Sequence, residues 1–291
     1  MIDLYKGDCL QVMDDLIAKG IIVDAIITDP PYGTTACKWD TVISFDSMWV
    51  RLNKLIKPNG VIVLFGNEPF SSALRMSNIK NYKYDWIYQK TTPTGHLNAK
   101  KQPLRVTENM MIFYNKQPTY NPQKTTGHIR KVSSAISRGK SIERNNLKDK
   151  VYQNEISSKV TDYCSTERYP LNITLEDFES DYFNLLQYLE NNHKNVFNEI
   201  CNLDIQLFST DKQKNTFHPT QKPVALMKYL IKTYTNKGET ILDFTMGSGS
   251  TGVAVEELNR DEDLDLSFIG VENDDKYFDI AKNRIEDIKR K

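Results

Sequence analysis

The stretch Thr28-Asp29-Pro30-Pro31-Tyr32-Gly33 gathers residue types that could do chemistry. Two consecutive prolines remove two backbone donors, fix φ and restrict the residue ahead of each. The Asp29 carboxylate and the Pro30 carbonyl are then held on a stiff turn that offers acceptors and no donors. Such a corner suits an NH₂ group, because each amino hydrogen finds an acceptor while the nitrogen faces a third direction. Tyr32 adds a flat face on which a base could stack, a contact worth ~1–3 kcal/mol in single-strand binders. Pro-Pro alone would read as a strand-ending turn with Asp as its local cap; the four residues together at a strand end favour function.

A second constellation is Ile241-Leu242-Asp243-Phe244-Thr245-Met246-Gly247-Ser248-Gly249-Ser250-Thr251-Gly252. It contains G-x-G-x-x-G, by itself a weak sign of a dinucleotide site. In that fingerprint the first glycine follows the strand directly, leaving room for a pyrophosphate. Here Asp243-Phe244-Thr245-Met246 intervene, and a strand-end carboxylate would repel the anion. A cationic ligand is better matched: Gly247 and Gly249 let the backbone approach an adenosine and amino-acid moiety, with Asp243 facing its ammonium or sulfonium side. Glu272 closes the next strand, where an acid can grip ribose hydroxyls. Standing alone, it would read as a solvated strand-end acid.

The elements that must position these residues follow from the hydrophobic pattern. Residues 2–5 read as a strand, 9–18 as a helix, and 23–28 as a fully buried strand ending at Asp29. A helix over about 45–56 is stopped by Lys57-Pro58-Asn59-Gly60, and Val61-Ile62-Val63-Leu64-Phe65 is another continuous apolar run. Buried strands between helices imply a parallel sheet covered on both faces. The alternation breaks near Lys116 and resumes at Pro219, with a helix over 223–234, a strand over 240–244, a helix over 250–259, a strand over 266–272 and a last helix capped by Asn273 or Asp274. Three divisions result: residues 1–116 and 216–291 as two halves of one α/β core, and 117–215 as an insertion.

Lys+Arg and Asp+Glu both number 38, so the formal net charge is zero. Neutrality conceals a bipolar middle: residues 116–160 hold ten basic against three acidic residues, and 161–210 two against nine. With 39% hydrophobic and 26% charged residues the composition is that of a globular protein rather than a disordered or membrane one. No apolar run reaches the roughly 18 residues of a membrane span, and the N-terminus lacks a signal-peptide layout, so a cytoplasmic location in a bacterial or phage-infected cell is expected. Cys9, Cys37, Cys164 and Cys201 are scattered, as are the four histidines, so no metal site is expected.

These motifs in this order resemble the amino-group DNA methyltransferases that use S-adenosylmethionine, specifically their permuted beta class. Asp29-Pro30-Pro31-Tyr32 is similar to that family's catalytic motif and the segment from Asp243 to Gly252 to its cofactor loop. His218-Pro219-Thr220-Gln221-Lys222-Pro223 resembles the segment that helps hold the methionine end, and Gly7-Asp8-Cys9 the element whose acid reaches the adenine. The resemblance implies a Rossmann-like methyltransferase fold with a mostly parallel, doubly wound, circularly permuted α/β sheet and an inserted target-recognition region. It implies S-adenosylmethionine bound by Asp8, Cys9, Asp29, His218, Thr220, Gln221, Lys222, Pro223, Asp243, Phe244, Gly247, Gly249, Thr251, Glu272 and Asn273. Thr245-Met246 departs from the family's commoner Phe-Ala or Cys-Gly pair.

The implied reaction is methylation of the exocyclic amine of a flipped base in double-stranded DNA. Asp at the first motif position leans toward adenine N6, with cytosine N4 as the alternative. Carbon-5 methylation would need a thiolate nucleophile, and Cys37, five residues past Tyr32, reads as structural. Phosphate contacts are expected from Lys90, Lys100, Lys101 and Arg105 in a loop near the base, and from Lys124, Arg130, Lys131 and Arg138 in the basic stretch. A cognate restriction enzyme and a homodimer are the expected protein partners. The same chemistry on RNA or a glutamine amide, an NAD-dependent oxidoreductase, and a non-catalytic DNA-binding partner subunit are the competing readings.

Overall fold

Apolar runs rich in Val, Ile and Phe, bounded by Asp, Gly and Pro, form the strands of one mixed sheet. The computed structural model describes residues 1–34, 40–124, 173–176, 206–208 and 221–290. In chain order these comprise β1 (Ile2–Lys6), α1 (Cys9–Ala18), β2 (Val23–Thr28), α2 (Phe45–Leu55), β3 (Ile56–Gly66), α3 (Phe70–Ser77), β4 (Tyr82–Thr94) and β5 (Arg105–Phe113). Then follow β6 (Ile173–Glu176), β7 (Gln206–Phe208), α4 (Val224–Tyr234), β8 (Thr240–Asp243), α5 (Ser250–Glu262), β9 (Ser267–Glu272) and α6 (Asp275–Lys289).

The strand order is β1-β9-β8-β2-β3-β5-β4-β6-β7. The first five strands run parallel; β5 is antiparallel to both β3 and β4, and β6 and β7 continue the sheet parallel to β4. Alternate side chains feed two cores. Ala25, Ile27, Val61, Val63, Phe65 and Ile241 pack under α4, α5 and α6, whereas Ile26, Ile62, Leu64, Leu242 and Ile269 pack under α1, α2 and α3. Residues buried on both faces explain why these strands read as unbroken apolar runs.

Local chemistry sets the helix starts. Asp8, extended, accepts the N–H groups of Leu10 and Gln11 and so caps α1; Asp274 accepts from Tyr277 and caps α6. Pro223 caps α4 with β-region dihedrals, one residue later than the sequence pattern suggests.

Two expectations change. Lys57-Pro58-Asn59-Gly60 is not a separate turn: the chain leaves α2 directly into the ladder, Ile56 already opposite Val23, and the four residues form an irregularity before Val61 pairs with Ala25. The antiparallel β5 was not separable from a parallel strand, since burial on both faces gives Met110-Met111-Ile112-Phe113 the same unbroken pattern.

The chain divides into two compact units: one holds Met1–Pro122, Leu171–Leu185 and Ile205–Lys291, the other Gln123–Pro170 and Leu186–Asp204. Two short strands of the 117–215 region, β6 and β7, thus belong to the sheet of the first unit. Apart from Gln123 and Lys124 the second unit lies outside the described residues, as does Cys37. Among the described residues no helix is long and apolar enough to cross a membrane.

Candidate active site

Parallel strands put their carboxyl ends on one edge of the sheet, and ligands of open α/β sheets bind there. At this edge the ends of β1, β9, β8 and β2 surround a cleft of about 1000 Å³. Because β5 runs the other way, its beginning reaches the same edge and brings Glu108 into the lining.

The proline corner leaves β2 at this edge. The Thr245 hydroxyl donates to the Asp29 carbonyl at 3.1 Å, tying the corner to the end of β8. Asp40 accepts from the Gly33 and Thr34 N–H groups at 2.8 and 2.9 Å and holds the far side of the turn. The Tyr32 ring leans on Phe70 with centroids 5.1 Å apart, and its hydroxyl donates to Asp29 Oδ1. Burial pushes the Tyr32 phenol well up, so it is a neutral donor.

Asp29 Oδ2 accepts from Lys222, delivered from the turn before α4, 193 residues away. Lys222 Nζ also lies 3.2 Å from Glu108 Oε2, and Glu108 Oε1 lies 2.5 Å from Lys90 Nζ. Burial pushes the Asp29 carboxyl above its ordinary range against the opposing pull of the Lys222 ammonium. Burial acts on Glu108 too, but the Lys222 and Lys90 cations prevail and hold it down at about 2. Lys222 resists its own desolvation because two carboxylates flank it, and it stays charged.

The loop between β8 and α5 forms the opposite wall. Gly247 has φ +53, its N–H donates to Glu272 Oε2 at 2.9 Å, and a Cβ there would meet open space. Gly249 has φ +81, but a Cβ there would stand 2.8 Å from the Ala281 Cβ of α6. Arg284 of α6 donates to the Ser248 carbonyl at 2.6 Å and buttresses the loop. The Asp243 carboxylate is buried in a cage of donors: Thr28 Oγ1 and the Thr245 N–H on Oδ1 at 2.7 and 3.2 Å, and Thr251 Oγ1 on Oδ2 at 2.6 Å. Burial nevertheless pushes it up to about 6.

Of the residues expected around the cofactor, Asp8, Cys9, Asp29, Gln221, Lys222, Asp243, Phe244, Gly247, Thr251, Glu272 and Asn273 all line the cleft, and Pro223 caps α4 beside it. The structure adds detail to several of these positions. At Gly249 the missing Cβ also serves the packing of the loop on α6. Asp243 is turned into its hydroxyl cage, and Lys222 into the Asp29–Glu108 pair, so neither presents a free charge to the cleft. Burial pushes the Cys9 thiol up to about 12, which leaves it protonated and unfit as a nucleophile. His218 and Thr220 lie outside the described residues.

The expected phosphate contacts divide. Lys100, Lys101, Arg105 and Lys124 are exposed, whereas Lys90 is half-buried and paired with Glu108. Arg130, Lys131 and Arg138 lie outside the described residues. Sequence reasoning missed Glu108, Asp40, Thr28 and Thr245 as site residues. The one legible signal was Glu108 itself, an acid opening the apolar run of β5.

Comparison with known proteins adds the following. The profile of a family described as DNA methylase matches residues 23–283. The type II methyltransferase M.HpaI of Haemophilus parainfluenzae is 23% identical over 276 residues, covering 91% of this chain and 68% of that protein. The type II methyltransferase M2.DpnII of Streptococcus pneumoniae is 42% identical over 69 residues, 24% of each chain, so that match spans about a quarter of its length. Among solved structures, M1.HpyAVI in complex with SAM superposes with a TM-score of 0.58 at 23% identity, covering 98% of this chain and 99% of that one. The cytosine-N4-specific PvuII DNA methyltransferase gives 0.55 at 14% identity, covering 99% of this chain and 90% of that one. These likenesses show the Rossmann-like methyltransferase fold.

Proposed function

The chain belongs to the DNA methylase family, and we propose that it moves a methyl group from S-adenosylmethionine to the exocyclic amine of a flipped base in double-stranded DNA, adenine N6 ahead of cytosine N4. The observation that carries this reading is the Asp29 carboxylate, fixed on a donor-free proline corner and facing a cleft whose other wall is an open glycine loop. The residues fit the cofactor. Open space beside Gly247 admits a ligand against the backbone, and Glu272 keeps lone pairs for ribose hydroxyls after accepting two backbone N–H groups. Asp8 lines the cleft beyond Glu272, where an adenine would extend. When bound, S-adenosylmethionine would supply an electrophilic methyl carbon: the amine nitrogen would bond to it as the carbon–sulfur bond breaks, the neutral thioether would leave, and the proton of the methylated amine would pass to solvent.

The protein's part is positioning and electrostatics. A base inside a duplex cannot reach the cleft and must leave the stack at a cost of a few kcal/mol. Tyr32 gives the extruded ring its stacking face. Asp29 Oδ1 and the Pro30 carbonyl accept the amino hydrogens, the former by releasing the Tyr32 hydroxyl, and their negative charge opposes the positive charge growing on nitrogen. Asp at the first motif position supports adenine. The NAD alternative has no use for the proline corner, and the strand-end acid Asp243 ahead of the glycines would repel a pyrophosphate. We further propose a cytoplasmic enzyme, dimeric, working beside a restriction endonuclease of the same recognition sequence.

Radiolabelled S-adenosylmethionine offered with DNA, RNA or protein tests the substrate, and mass spectrometry of digested DNA tests the base. Label in DNA as N6-methyladenine is expected. N4-methylcytosine as sole product overturns the base, label only in RNA or protein overturns the substrate, and full activity of Asp29→Ala overturns the mechanism.

A further inference from the structure

We propose that Glu108 and Lys222 are positioning residues for the amine-accepting carboxylate: Lys222, clamped between two acids, orients Asp29, and Glu108 holds Lys222 in that place. The proposal rests on the functional reading above. Two acids and two lysines alternate along one chain of contacts, Asp29, Lys222, Glu108 and Lys90, with side-chain exposures of 20, 8, 7 and 13%. Burying such groups costs several kcal/mol per ion, and apolar packing would serve stability as well. The geometry shows what the charges accomplish. Lys222 holds Oδ2 of Asp29, so the carboxylate cannot swing when the amine takes Oδ1 from the Tyr32 hydroxyl. The ammonium lies 5.1 Å from the Phe65 ring centroid, which limits its alternatives. Glu108 is itself fixed by Lys90 at 2.5 Å and by the Asn67 amide at 3.4 Å.

The charged and titratable groups facing Asp29 are Tyr32 on its own turn, Lys222 from the turn before α4, Glu108 from β5 and, more weakly, Asp243 from the end of β8. Lys222 favours the ionised form of Asp29 and Glu108 disfavours it. Removing the two partners should therefore move the Asp29 titration in opposite directions, which a merely structural role would not do.

The test is single-turnover methyl transfer to DNA against pH, for the wild type, Asp29→Ala, Glu108→Gln and Lys222→Met, with the affinities for S-adenosylmethionine and DNA measured alongside. Both positioning variants are expected to lose about 100-fold in rate, the scale on which a misplacement of ~1 Å acts, with both affinities kept. The acid limb is expected to move to lower pH in Glu108→Gln and to higher pH in Lys222→Met. If Lys222→Met does not fold, the isosteric Glu108→Gln decides alone: a slower enzyme with its limb at lower pH supports the proposal, and an unmoved limb overturns it. Wild-type rates in both variants, or limbs moving the same way, overturn it while Asp29→Ala remains inactive. A wild type without methyl transfer overturns the functional reading and this proposal together.

Discussion

Thr28 and Asp243, 215 residues apart, are joined by a buried hydrogen bond of 2.7 Å from hydroxyl to carboxylate. This bond ties the last residue of β2, immediately before the proline corner, to the last residue of β8, immediately before the glycine loop. With Thr245 and Thr251 it makes one hydroxyl cluster under both walls of the cleft, so the proline corner and the glycine loop share a foundation.

Thr28→Val keeps the shape of the side chain and removes the donor, leaving Asp243 under-satisfied in a buried place. A loss of about 1–3 kcal/mol is expected in urea denaturation. An unchanged midpoint would mean that the remaining donors suffice.

Asp243 gives a pH signature. Its carboxyl is raised from 3.8 to about 6 by burial, so the folded protein holds this proton more tightly than the unfolded chain. The associated stability is fully present below about pH 4 and is lost as pH rises through 6. At ~1.4 kcal/mol per pKa unit the full effect is about 3 kcal/mol. Relative to Asp243→Asn, the wild type should lose stability between pH 4 and pH 6; a constant difference across that window would contradict the burial.

The two glycines of the loop should separate by assay. Gly249→Ala forces a Cβ against Ala281 at a positive φ and should destabilise the fold by about 1–3 kcal/mol. Gly247→Ala meets no protein atom, costs about 1 kcal/mol for its left-handed dihedral, and should raise the Kd for S-adenosylmethionine about tenfold, ~1.4 kcal/mol. Calorimetric titration paired with denaturation distinguishes them.

The lysines should separate by salt. Lys100 and Lys101 are exposed, and replacing both with Gln should flatten the slope of log Kd for DNA against log salt by about 1.8, at ~0.9 per phosphate contact. Lys90→Gln should leave the slope unchanged, because Lys90 is committed to Glu108. A slope unaltered by the double change would remove the loop from the DNA interface.

Much of the core was legible before any coordinates. Unbroken apolar runs such as Val23 to Thr28, and a capping residue such as Asp274, are local signals, and they located β2, β9, α1, α2, α4, α5 and α6 to within a few residues, whereas β3 begins five residues ahead of its apolar run and α3 carried no signal that was read. The strand-end acids Asp29, Asp243 and Glu272 were legible for the same reason: each terminates its own run. Antiparallel β5 was not, because burial on both faces erases the periodicity that would distinguish its direction.

The sequence by itself determined where the chain is stiff and where a side chain leaves room, since stiffness at Pro30 and Pro31 and the missing Cβ at Gly247 are properties of the residues themselves. Only the tertiary structure decided how each charge is spent. Whether Lys222 meets a ligand or Asp29, whether Lys90 meets a phosphate or Glu108, and whether Asp243 faces the cleft or three donors depend on strands far apart in sequence being laid side by side. An ion pair has no period and no required spacing along the chain, so nothing local records it.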